Sequence, residues 1–141
     1  MNKKILSIFL IGGLILASSV ATAQSVKWET YKNEKYNFSM EYPDGWSKAE
    51  ASGDMYISVS FSGPREKGIV ANITAVETES PKNLNEKIIT KNVGIGGITQ
   101  KQIMTVKNGR MYVMTFAANQ ESFKEANDTY FKEMIKSFKI E

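Results

Sequence analysis

The sequence contains neither cysteine nor histidine, and only three of its 141 residues are proline. Without cysteine there can be no disulfide bond, so the hydrophobic core alone must hold the fold. Without histidine the chain lacks the commonest general base and the commonest transition-metal ligand. These two absences exclude Ser–His–Asp catalysis and argue against zinc, copper, haem and iron–sulfur sites. We therefore predict no cofactor.

The chain also lacks an apolar run long enough for a typical membrane-spanning helix. Lys3 and Lys4 precede an uncharged apolar run over residues 5–17, and Ala21-Thr22-Ala23 resembles a cleavage site. This three-part layout is typical of a secretory signal peptide. A membrane anchor is the alternative, but a spanning helix needs about 20 apolar residues. We predict a cleaved signal peptide at residues 1–23 and a single domain at residues 24–141. The mature form is then exported, periplasmic or secreted, and does not span a membrane.

Neither sign of charge dominates the mature chain. Of 18 basic residues, Lys3 and Lys4 leave with the signal peptide, so that 16 remain against 15 acidic residues. No basic tract is left, which argues against nucleic acid as a partner. We expect a monomer whose partner is an envelope protein or complex that the sequence does not identify.

Apolar and polar residues alternate between Tyr36 and Tyr42. Tyr36, Phe38, Met40 and Tyr42 fall on one face of a strand, because side chains in a strand point alternately to opposite faces. Pro43-Asp44-Gly45 then predicts a turn, after which Trp46 can fold back onto the same face. We expect this strand to organise the core. If Trp46 belongs to that core, Trp46→Ala should cost about 3–5 kcal/mol.

The same alternation predicts further strands. Residues 26–31 form a short first strand anchored by Trp28, and residues 32–34 connect it to the next. Residues 47–52 are a weak strand or a loop. Two clear strands follow, separated by an exposed turn at residues 62–68; their inward positions are Met55, Ile57, Val59 and Phe61, then Ile69, Ala71, Ile73 and Ala75.

Asn108-Gly109 lies between two β-like runs and is the strongest short signal for a hairpin. A two-residue loop fixes the register of the hairpin. It pairs Val106 with Met111 and Met104 with Val113 on one face, and Thr105 with Tyr112 and Ile103 with Met114 on the other. Both faces are largely apolar. We therefore expect the hairpin to lie centrally, with helices or loops covering both sides.

Two helices are predicted. In the first, Asn83 is the cap, and the apolar stripe comprises Leu84, Ile88, Ile89 and Val93. Residues 94–97 end it as a flexible cap; a phosphate-binding loop would have to follow a strand instead. A capping box at residues 122–125 opens the second helix, whose apolar stripe comprises Phe123, Tyr130, Phe131, Met134, Ile135 and Phe138.

Taken together, these motifs resemble PsbP-like proteins. The opening signature consists of Trp28-x-x-Tyr31 followed by Tyr36-x-Phe38, Tyr42-Pro43 and Gly45-Trp46, and it is joined by the Asn108-Gly109 hairpin and a last helix ending at Phe138. The resemblance covers nearly all of residues 24–141. It implies an α+β fold, an antiparallel β-sheet flanked by helices as an α/β/α sandwich. That fold is shared with the extrinsic subunit of photosystem II and with a nuclear-import factor that binds the GTPase Ran.

Three functions remain open at this point. The leading hypothesis is a non-enzymatic accessory or binding protein, since no catalytic motif is present. The first alternative is a module that binds a small ligand or a cation such as Ca²⁺, to which Asp44 and Asp54 could contribute. The second is an uncharacterised hydrolase using a Ser–Lys pair or a carboxylate pair, for example Glu77 and Glu79.

Overall fold

The computed structural model describes residues 25–79, 84–87 and 96–141. The predicted signal peptide and most of the first predicted helix lie outside these residues. The described strands and helices follow one another in the order β1 (Trp28–Asn33), β2 (Phe38–Pro43), β3 (Ser47–Ser52), β4 (Tyr56–Ser62), a 3₁₀ turn (Arg65–Lys67), β5 (Val70–Glu77), β6 (Leu84–Lys87), β7 (Ile98–Lys107), β8 (Arg110–Asn119), α1 (Gln120–Ala126), a π-helical turn (Asn127–Phe131), α2 (Lys132–Ser137) and β9 (Lys139–Ile140).

The strands form two antiparallel sheets. The smaller has the order β1-β2-β9 and the larger the order β3-β4-β5-β8-β7-β6. With the helix that follows β8, this arrangement confirms the predicted α+β class and its antiparallel strands. Two sheets are needed because a sheet can bury its apolar face only against another layer.

The core lies between the smaller sheet, the helix and one face of the larger sheet. The predicted inward residues of β2 are all buried, and Phe38 packs against Tyr112 of β8 with ring centres 5.9 Å apart. From the helix, Phe131 reaches Phe116 of β8, with ring centres 5.1 Å apart. Local alternation thus identified the core side of the early strands. Met55 is the exception, because it precedes β4 and is 59% exposed.

The hairpin has the predicted register. Val106 lies opposite Met111, Met104 opposite Val113, Thr105 opposite Tyr112 and Ile103 opposite Met114. Asn108 and Gly109 both have positive φ, 54° and 71°, as a two-residue hairpin turn requires. β8 lies in the middle of the larger sheet. The smaller sheet and the helix cover one of the two hairpin faces that were predicted to be covered.

Several element boundaries differ from the prediction. Residues 84–87, expected as the start of a helix, form β6, because their backbone pairs with the edge of β7. The rest of that predicted helix, through Val93, and the beginning of its glycine cap lie outside the described residues. β1 extends to Asn33, and residues 47–52 are an edge strand rather than a loop.

The last helix starts before the capping box. It begins at Gln120, whose N–H donates to the carbonyl of Gly97 over 2.8 Å, so that Ser122 lies inside the first turn. The Asn119 side chain does not cap the helix, because it donates to the Glu66 carbonyl over 3.1 Å. The π-helical turn contains an extra residue per turn, which brings Ala126 and Phe131 to the same buried side.

Candidate functional site

The residues of the family-like motif lie in and around the core. Tyr31, Tyr36, Phe38 and Tyr42 are buried, and Pro43 lies opposite Trp28 at the end of the β1–β2 pair. These positions join β1 and β2 to the larger sheet: Tyr42 packs on Phe61 of β4 with ring centres 4.5 Å apart. In this structure these residues pack in the core, and the hydroxyls of Tyr31 and Tyr42 donate hydrogen bonds to Glu50 and Glu29.

Other motif residues lie in turns or pack at the edge of the core. Gly45 has a φ of 81°, which L side chains rarely adopt, and it allows the turn before Trp46. Trp46 is partly buried: its ring contacts the ring of Tyr130, with centres 5.1 Å apart, and lies against Gly63. Phe138 packs against Phe38 and Tyr112, with ring centres 6.0 and 5.9 Å away.

The carboxylates proposed for cation binding or hydrolysis are not brought together. Asp44 precedes β3 and Asp54 follows it, so they lie at opposite ends of that strand. Glu77 accepts a hydrogen bond from Arg110 over 3.0 Å, while Glu79 is exposed. Within the described ranges, no group of three or more Asp or Glu side chains is arranged to hold a metal ion.

The most extended candidate surface is the face of the larger sheet that points away from the core. We call it the open face. In β3, β4, β5, β7 and β8 the register assigns to it the positions between the core-facing residues, and none of these is charged: Ser47, Ala49, Ala51, Tyr56, Ser58, Ser60, Ser62, Val70, Asn72, Thr74, Val76, Gln100, Gln102, Met104, Val106, Met111, Val113, Thr115 and Ala117. In β6, Lys87 lies opposite Met104, a position on this face. The smaller sheet and the described helix both pack on the opposite side.

Polar side chains of the open face bond mainly to one another. Asn72 donates to the hydroxyls of Ser58 and Ser60 over 2.9 Å each, and Thr74 donates to the Asn72 side-chain oxygen over 3.1 Å. Gln102 donates to Thr115 over 3.3 Å. Because these groups already have partners, they can be removed from water without becoming unsatisfied. Over β3, β4, β5, β7 and β8 there is no ion to desolvate, so this part of the face can be buried at low cost.

A second candidate is a polar cleft of about 320 Å³ between the smaller sheet and α2. Thr30, Ser39, Glu41 and Lys139 line it from the strands, and Glu133, Lys136 and Ser137 from the helix. The Glu41 N–H donates to the Ser137 hydroxyl over 2.9 Å, which fixes helix and strand relative to each other. The cleft thus presents charges of both signs, and one hydrogen bond joins the helix and the strand that line it.

A third candidate is an apolar groove of about 250 Å³ beside β9. Its walls and floor are Ile103, Thr105, Lys107 and Met114 from the hairpin and Ile135, Phe138 and Ile140 from the end of the chain.

Sequence reasoning named none of these three surfaces. The open face could have been found, because the hairpin register and the alternation Ser58, Ser60, Ser62 place uncharged residues side by side. The cleft and the groove depend on how the last helix crosses the sheets, for which no local pattern exists.

The described helices bear on the prediction that the mature form does not span a membrane. Among the described residues, no helix is both long and apolar enough to span a bilayer.

Comparison with known proteins identifies the fold. No family model matches the sequence, and no curated protein matches it. The structure is similar to the solution structure of cyanobacterial PsbP (CyanoP) from Synechocystis sp. PCC 6803, with a TM-score of 0.56. The match covers 89% of this chain and 99% of that chain at 12% sequence identity. The chain therefore has a PsbP-like fold, as the sequence motifs indicated.

Proposed function

We propose that this chain is an exported, non-enzymatic accessory protein that binds a protein of the cell envelope through the open face. The observation that carries the proposal is the uncharged composition of that face over β3, β4, β5, β7 and β8. The PsbP-like fold supports an accessory role, since the sequence resemblance pointed to an extrinsic subunit. Export rests on the predicted signal peptide, and N-terminal sequencing of the mature protein should find Gln24 first.

The size of the open face fits a modest protein interface. Five strands about 4.8 Å apart, each contributing about seven residues of 3.3 Å, give roughly 500 Å². That is somewhat below the ~800 Å² that each partner buries in a standard complex. The partner should present a flat and uncharged surface, because a charged surface would lose its hydration without gaining an opposite charge here.

A charge placed on the open face tests the proposal. The chain, carrying a C-terminal tag, is recovered from its source cells together with what it binds, as wild type and as Thr115→Lys. Thr129→Lys, the same change at an exposed helix position, is the control. We expect a partner that the control retains and that Thr115→Lys loses at least tenfold. Equal capture by both folded variants would overturn the open face as the contact surface.

The polar cleft supports a second candidate function, the binding of a small zwitterionic ligand or a cation. Glu41 and Glu133 offer carboxylates for a cation, and Lys136 and Lys139 offer ammonium groups for an anionic group. Thermal denaturation with and without Ca²⁺ and amino acids tests this function. A saturable rise in the midpoint that Glu133→Gln removes would support it, and no shift with any of these ligands would reject it.

A further inference from the structure

The smaller sheet ends at β9, a strand of only two residues whose outer edge has no neighbour among the described strands. The Glu141 N–H donates to the Asn37 carbonyl over 2.8 Å, and Phe38 lies opposite Ile140. In an antiparallel pair, residues alternate between bonding to the partner strand and pointing their N–H and C=O away from it. The backbone groups of Ile140 therefore point outward, along the free edge.

The apolar groove lies beside this free edge. β1 packs over β4 through Tyr31 and Phe61, and β2 packs over β8 through Phe38 and Tyr112. β9 follows β2 in the smaller sheet, and the space beside Ile140 lies over β7, because Ile103 and Thr105 of β7 line the groove together with Ile140. The groove occupies that position, with Ile103 and Thr105 of β7 as its floor and Ile140 as its wall.

The groove has a positive charge at one end. Lys107 is exposed, and none of the described carboxylates forms an ion pair with it. Ile103 and Lys107 are four residues apart on β7, a distance of about 13 Å along the strand. A segment of about four extended residues can therefore reach from the apolar floor to the ammonium group.

We propose that β9 and the groove form a binding site for an extended peptide segment of a partner protein, which adds a fourth strand to the smaller sheet. The segment pairs with the backbone N–H and C=O of Ile140. It places an apolar side chain over Ile103 and a carboxylate against Lys107. Main-chain pairing gives such sites affinity, and pockets for alternate side chains give them specificity. This site is separate from the open face and does not depend on it.

A charge swap with two defined peptides tests the site. The untagged protein is titrated by fluorescence anisotropy with labelled Ile-Thr-Val-Thr-Glu and with the same peptide ending in Lys. We expect weak, saturable binding of the Glu peptide, at least fivefold tighter than that of the Lys peptide. Lys107→Glu should reverse this preference. In the wild type, the Glu peptide should also slow hydrogen exchange at the Ile140 amide.

Two tryptophan variants distinguish the effect of filling the groove from the general effect of introducing a tryptophan into β7. Thr105→Trp fills the groove and should abolish binding of both peptides. Gln102→Trp places the same side chain on the opposite face of β7 and should leave binding unchanged. Absence of saturable binding to the folded wild type at millimolar peptide would overturn the proposal. So would binding that neither Lys107→Glu nor Thr105→Trp alters.

Discussion

Tyr31 connects the two sheets through its hydroxyl group. The hydroxyl donates a hydrogen bond to the Glu50 carboxylate of β3, and Lys48 Nζ lies 5.3 Å from the centre of the ring. Burial, reinforced by the bond to Glu50, raises the pKa of Tyr31 from 10.0 to about 12. The neutral phenol is thus favoured in the folded state, while the unfolded chain ionises at lower pH.

The raised pKa of Tyr31 predicts an alkaline loss of stability. Its contribution is fully present below pH 10 and decreases as the pH rises toward 12, because the unfolded state loses the proton first. Relative to Tyr31→Phe, the wild type should lose about 1 kcal/mol of its free energy of unfolding by roughly pH 11. Urea denaturation of both proteins from roughly pH 8 to 11 measures this. A constant difference between them would contradict the assignment.

Trp46 and Gly63 form a contact that a double-mutant cycle can isolate. A methyl group on Gly63 would lie 2.8 Å from two ring atoms of Trp46, closer than real contacts allow. Gly63→Ala should therefore cost about 1–3 kcal/mol in the wild type. In the Trp46→Ala background it should cost at least about 1 kcal/mol less.

Trp46→Ala alone should cost about 2 kcal/mol. This is less than the 3–5 kcal/mol expected for a fully buried tryptophan, because the ring is only partly buried. Denaturation midpoints of the wild type, the two single variants and the double variant complete the cycle. If the double variant loses the sum of the stabilities lost by the two single variants, the contact between Gly63 and the Trp46 ring does not limit the packing there.

At the scale of secondary-structure elements, the β7–β8 hairpin depends on its turn. Gly109 has a φ of 71°, and its hypothetical methyl group would meet only the Thr78 carbonyl at an ordinary 3.7 Å. The cost of Gly109→Ala is therefore conformational, about 1–2 kcal/mol, and not steric. Asn108→Gly, which relieves positive φ at the neighbouring position, is the control and should change stability by less than about 1 kcal/mol. Thermal denaturation distinguishes the two variants.

Elements governed by local chemistry were predictable from the sequence. The strand around Phe38 shows strict alternation, and the Asn108–Gly109 turn fixes its own register. The strand at Leu84–Lys87 was predicted as helix, because its pairing with β7 is a long-range contact that outweighs local periodicity. β9 is too short to carry any pattern. The groove beside it follows only from the packing of the two sheets.

At the scale of the whole molecule, charge is unevenly distributed over the surface. The described ion pairs involve turns, strand ends, the helix and the chain end, for example Lys67 with Glu125 and Lys132 with Asp128. The open face contains none. Five strands of the larger sheet, β3, β4, β5, β7 and β8, thus present one broad neutral surface, which is the central reason for assigning protein binding to it.

If the open face is the contact surface, the affinity of the captured complex should hardly depend on salt concentration. Association through an uncharged face should be insensitive to ionic strength, because no surface ion pairs are available to be screened. We predict that the dissociation constant of the chain for its captured partner changes less than about twofold between roughly 0.05 and 0.5 M sodium chloride. A weakening of about tenfold or more over this range would show that charged residues outside the open face form the interface, and would contradict the account.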